Sequence, residues 1–301
     1  MPAEPPARAN GAARHIDPSR SESHCTVALV RGQTRLVASH SAQPLKLLNP
    51  RVPAGPACHV VQASYGGGLL AGDCLHLRVR VEAGACLLLS TQANIRVFRS
   101  DDGRPAGQHL AGEVAAEALA VVLPDPLVPQ AASRYHQTQR WDLAPTATLL
   151  LADWWQAGRA DAGERFAFTE FATELRVRVG GRPVLLDRFA LLPAAHLPTS
   201  AAALGPYCSA LTLYLVGPPA GAQFQQLAAA LHQLPPPGQT ALHAQLSGRP
   251  AVVAVSQARE NVVIVRALGL TRQDLDPLCR AVSAALAGPA LLGFDWLERK
   301  Y

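Results

Sequence analysis

Short hydrophobic segments, cut by turn residues at intervals of about ten, predict a mainly β chain with many strands. Twenty-three glycines and 25 prolines among 301 residues supply the punctuation, and long helices do not survive that density of breakers. The run Leu75 to Val81 shows the strand period directly. Leucines and valines there alternate with His76, Arg78 and Arg80, the pattern of a half-buried antiparallel strand. Strands at this rhythm suit a sandwich, a barrel or a β-solenoid, and periodicity alone does not choose among them.

Taken in order, Thr26 to Val30 and Thr34 to Ala38 flank Arg31-Gly32 as a hairpin, and Leu45 to Pro56, with three prolines, reads as a rim loop. His59 to Ser64 is a strand ending at Gly66, Gly67 and Gly68, and Leu75 to Val81 follows Gly72 and Asp73. Cys86 to Ser90, Ile95 to Phe98, Val114 to Leu123, Ser133 to Leu143, Thr148 to Ala152, Thr173 to Val179 and Val184 to Ala190 continue the series. The last third changes character. Phe224, Leu227, Leu231 and Leu234 fall at helical spacing in Ala222 to Leu234, which Pro235-Pro236-Pro237 stops. Strands are expected at Ala241 to Ser247, Ala251 to Ser256 and Val262 to Leu268, then a helix from Asp274 to Ala287 that tolerates Pro277 in its first turn. The expected organisation is a disordered tail over 1–24, a β-rich body over 25–205, and a mixed α/β portion over 206–301 packed on it.

The net charge of +5 rests on scattered arginines with no basic run, a poor nucleic-acid footprint. Phe189 to Gly248 contains no Asp, Glu, Lys or Arg, but prolines and glycines break it well short of a membrane span. The N-terminal residues lack an apolar core, so no secretory signal is read there. Six dispersed cysteines without a CxxC pair read as reduced structural thiols. Together these features predict a soluble cytoplasmic protein that engages neither nucleic acid nor membrane.

Asp153 to Phe171, DWWQAGRADAGERFAFTEF, is the densest polar stretch. Asp153 and Glu164 have the composition of an acid/base pair, with Arg159 to orient a substrate, so a hydrolase or lyase is one reading. No nucleophile motif accompanies them. The alternative is a loop pinned by an Arg159–Glu164 ion pair under Trp154 and Trp155. The sequence GGGLLAGD, Gly66 to Asp73, precedes a strand rather than the helix a phosphate loop needs. It reads as a tight turn whose amides Asp73 caps. The ten histidines form no HxH or HExxH pattern, so no closed metal site is read from the sequence.

In order along the chain, PLKLLNP (44–50), GGGLLAGD (66–73), STQANIRVFR (90–99), LPDPLVP (123–129), SRYHQ (133–137), DWWQAGRADAGERFAF (153–168) and VRALG (265–269) resemble the urease accessory protein UreD (UreH) family over residues 25 to 301. Ile95, Phe98 and Asn49 depart from the family pattern, leaving open a binding module repurposed where urease is absent. The resemblance implies a β-solenoid-like body and a non-catalytic scaffold or chaperone for nickel insertion into apo-urease. It implies UreF as direct partner, the GTPase UreG recruited through UreF, and an internal tunnel for the metal.

Such a conduit has to bind weakly. A picomolar site loaded at the diffusion limit would hold its ion for roughly 10³ s. Single carboxylates, hydroxyls and amides meet that need, so no tightly bound cofactor is expected, only transient Ni²⁺. Asp73, Asp153 and Glu164 are the metal candidates, with Gly66, Gly67, Gly72, Thr91, Gln92, Arg99, Arg159 and Gly163 as tunnel-lining or structural positions. The uncharged Phe189 to Gly248 stretch and Phe294-Asp295-Trp296 are the candidate interface patches.

Overall fold

The computed structural model describes residues 22–53, 55–234 and 249–299. The strand expected at Ala241 to Ser247 and the tail up to residue 21 lie outside them. The fold is mainly β, built on a β-solenoid of about four turns. Each turn places one strand in each of two facing sheets. The larger sheet receives β4 (Ala57–Ser64), β7 (Cys86–Gln92), β10 (Leu119–Leu123) and β13 (Thr148–Gln156), paired in parallel in that order. The smaller receives β6 (Cys74–Val81), β9 (Ala106–Val114), β12 (Arg134–Leu143) and β14 (Glu170–Val179), likewise parallel. Short strands β5 (Gly68–Leu69), β8 (Ile95–Val97) and β11 (Leu127–Pro129) form a third, narrow side of the coil.

Antiparallel pairs close both ends. At the first, the hairpin β1 (Ser23–Val30) and β2 (Gln33–His40) adds to β6, while β3 (Leu45–Leu48) pairs with β4. At the last, β15 (Arg182–Leu191) folds back on β14, and β16 (Ser209–Val216), β18 (Val262–Gly269) and β17 (Ala251–Arg259) continue the larger sheet beyond β13. Capping matters because a solenoid's terminal strands otherwise present unpaired backbone groups.

Burial explains the two kinds of strand sequence. The larger sheet is covered on both faces, so CLLLS and LAVVL are apolar without alternation. Its inner face joins the core between the sheets through Leu87, Leu89, Val122 and Leu151. Its outer face carries α2 (Ala222–His232) and α3 (Asp276–Leu286), whose Phe224, Leu227, Leu278 and Val282 share a core with Val121, Leu150 and Leu213. α1 is the single turn Pro193–His196. The smaller sheet has one face in water, which is why β6 alternates strictly.

Several expectations are corrected. β6 is half-buried as read, but it pairs in parallel with both β1 and β9. The solenoid returns every strand in the same direction, and alternation reports burial only, not strand polarity. The rim loop contains β3, whose Leu45 is buried. Val114 to Leu123 is the end of one strand and the whole of another, separated by a turn that crosses between sheets. Phe294 and Trp296 are each only 6% exposed and belong to the core under the helices, so they offer no interface patch. Asp295 is tied down by the Ser283 hydroxyl and by the Leu297 amide at 2.8 Å.

Candidate functional site

The interior between the sheets is mainly apolar and carries a polar seam. Parallel register places Gln108, Gln137 and Thr173 side by side on β9, β12 and β14. They share the face of Leu110, Leu143 and Leu175, so they point inward. Opposite them, Asp153 lies between Leu151 and Trp155 on the inner face of β13. Asp153 was expected in a polar loop, yet it is a strand residue; the loop proper begins only after Gln156.

Side-chain contacts form two groups along this seam. Gln108 Nε2 donates to Gln62 Oε1 at 3.5 Å. The Tyr135 hydroxyl donates to Gln137 Oε1 at 3.0 Å and lies 3.4 Å from Gln108 Oε1. Gln137 Nε2 donates to Asp153 Oδ1 at 3.5 Å. Further along, Tyr214 and Arg266 both donate to Asp187 Oδ2, at 2.9 and 2.6 Å. The seam thus starts among buried amides and ends where the Arg266 side chain, 55% exposed, reaches solvent.

Burial sets the electrostatics. It pushes the Asp153 carboxyl up to about 6; hydrogen bonds from Thr173 and Gln137 hold the rise back, and the Asp187 charge adds to it. Burial also raises the Tyr135 and Tyr214 hydroxyls, which stay protonated as donors. Asp153 therefore changes charge near neutrality, and its oxygens are matched to hard or borderline cations held loosely. Groups with such shifted titration gather at functional sites more often than elsewhere.

Other candidate residues go elsewhere. Thr91 and Asp125 bond each other, at 3.1 Å between side chains and 2.6 Å from the Asp125 amide to Thr91 Oγ1. Together with Gln92, Gly67 and Arg272 they line a cleft of about 510 Å³ at one end of the strands. An adjoining cleft of about 480 Å³ shares Asn94, Arg96 and Arg272 and includes Arg159. Glu164 is held by Arg159, through Nε at 2.9 Å and a second guanidinium contact, and by the Ala131 amide at 3.3 Å. Arg159 holds its carboxyl below the usual range. This is the pinned loop, with Gly163 at φ +79° closing its turn. Asp73 accepts the Leu70 amide at 2.8 Å, as a turn cap does. Gly72 makes room for the Arg104 guanidinium, and Gly66 and Gly67 sit at positive φ in the preceding turn. Arg99 pairs with Asp101 in solvent.

The carboxylates of Asp153 and Glu164 thus sit in different settings, one in the seam and one on the rim, with different partners. Of the family departures, Asn49 bridges to the His59 carbonyl at 2.7 Å and Phe98 packs over Gly68. Sequence reasoning missed Gln62, Gln108, Gln137, Tyr135, Asp187 and Tyr214. Their signal was a polar residue at an inward position of a strand, legible only once the inward face was known.

The fold and the seam define a β-solenoid protein with a polar line through a mainly apolar interior. The chain belongs to the UreD urease accessory protein family, whose profile matches residues 20–299. It is 40% identical to the urease accessory protein UreD of Sorangium cellulosum, over 90% of this chain and 81% of that protein. It is 30% identical to the urease accessory protein UreD of Cytophaga hutchinsonii, over 90% of this chain and 95% of that protein. Similarity extends to the urease accessory protein D of Oryza sativa subsp. japonica, 30% over 60% of this chain and 56% of the plant protein. The family places the chain in urease maturation. No helix among the described residues is long and apolar enough to cross a membrane.

Proposed function

We propose that this chain is a non-catalytic, cytoplasmic scaffold for nickel insertion, binding UreF, receiving UreG through UreF, and docking on apo-urease. Ni²⁺ moves through it along the interior seam. The observation that supports this reading is the seam itself. Amide, hydroxyl and carboxylate groups follow the solenoid axis through a core that is mainly apolar, although burying polar groups costs stability that an apolar filling would not. The donors are oxygen atoms presented singly, which bind nickel weakly enough to release it. Asp153 serves as the interior carboxylate near mid-path, and Asp187 with Arg266 forms the charged mouth. Glu164 braces the rim and stays outside the path.

The test is urease activation and nickel content in cells carrying urease, UreF and UreG with this chain altered at Asp153→Asn. Activation is expected to fall while UreF pull-down is retained. Full activation removes the seam from the nickel route, and loss of UreF binding by the unaltered chain removes the scaffold reading altogether.

A further inference from the structure

A second group of chemistry-bearing side chains lies on the opposite, solvent-facing side of the small sheet. Cys74 and His76 are two residues apart on β6, so both point outward, and parallel register sets His76 directly beside His109 of β9. The two imidazoles stack with centroids 4.9 Å apart and planes 26° from parallel. Cys74 pairs with Gly107, and a Cβ on Gly107 would lie 3.5 Å from the Cys74 sulfur. The glycine leaves the thiol room beside the rings. One ligand atom from each of Cys74, His76 and His109 falls within 4.8 Å of the other two.

We propose that Cys74, His76 and His109 form a surface site for a borderline divalent transition metal, with three protein ligands and an open position for solvent. Bonds of about 2.0 Å to nitrogen and 2.3 Å to sulfur would set tetrahedral ligand atoms about 3.5 Å apart. Small side-chain rotations at an open surface close that gap. One thiolate and two imidazoles select Zn²⁺, Ni²⁺ or Co²⁺ over Mg²⁺ and Ca²⁺. His109 Nδ1 is engaged by the Thr138 hydroxyl, which fixes the ring and assigns Nε2 to the metal, as partners of metal-bound histidines do. The site is independent of the seam and of the urease reading: its ligands face solvent, and the polar seam lies on the other face of the same strands.

The experiment is titration of the reduced full-length chain with Co²⁺ at neutral pH, followed by absorbance. One Co²⁺ per chain is expected, with a thiolate-to-cobalt band in the near ultraviolet. Cys74→Ser should abolish that band, and His109→Ala should weaken binding at least tenfold. Thr138→Val should keep the band and weaken binding about tenfold. Cys208→Ser should change nothing. Zn²⁺ and Ni²⁺ added in competition identify the preferred ion by which displaces cobalt first. No band, a band that survives Cys74→Ser, unchanged affinity in His109→Ala, or displacement by neither ion overturns the proposal.

Discussion

Asp153→Asn separates stability from function at the centre of the seam. The folded carboxyl titrates at about 6 against an ordinary value of 3.8, so between those values the folded state binds more protons than the unfolded one. Stability linked to this group is therefore complete below about pH 4 and is lost as pH rises through 6. A shift of about two units corresponds to roughly 3 kcal/mol. Residual solvent contact of this half-buried side chain screens part of that, leaving about 1–2 kcal/mol. Asparagine keeps the shape and the contacts to Gln137 and Thr173 without the charge. Urea denaturation at pH 8 should show the variant more stable than the native chain by about 1–2 kcal/mol. The gap should close as pH falls toward 4. On the proposed nickel route, urease activation should drop in the same variant. A variant less stable than the native chain at pH 8, or a gap that ignores pH, would refute the reasoning about burial.

Three further outcomes are expected. Gly112→Ala drives a methyl to 2.1 Å from the ring of Trp141, which is 1% exposed; overpacking of about 1–3 kcal/mol should appear in chemical denaturation, and a change under about 0.5 kcal/mol would show the ring has slack. Tyr214→Phe removes a donor to Asp187 while Arg266 remains, so a loss of roughly 1–2 kcal/mol is expected in thermal melts; an unmoved midpoint would mean that this bond adds nothing to stability. Glu164→Gln should lower the melting midpoint only slightly because Arg159 is half exposed, with urease activation close to native. The small loss should fade as pH falls, because Glu164 titrates below its usual range. Marked loss of activation in this variant would instead put the rim loop on the metal path.

The strand inventory was legible in the chain because turn residues and period-two burial are local properties. β6, the β1–β2 hairpin and both longer helices fall where the pattern puts them. The Arg159–Glu164 brace and the Asp73 turn were legible for the same reason, since their partners lie within a few residues. Strand direction was not, because alternation is identical in parallel and antiparallel ladders. Nor was the side on which Asp153 would fall: it follows an unbroken apolar run, TLLLA, that carries no period to extrapolate.

What the sequence by itself determined is therefore the class of fold, the family and the candidates taken one at a time. Tertiary structure decided which of them meet. The solenoid sets residues from successive turns side by side, so Gln108 finds Gln137 and Thr173, and Cys74 and His76 find His109. Those neighbours are fixed by register between strands distant in the chain, and hydrophobic periodicity within any one strand carries no information about it.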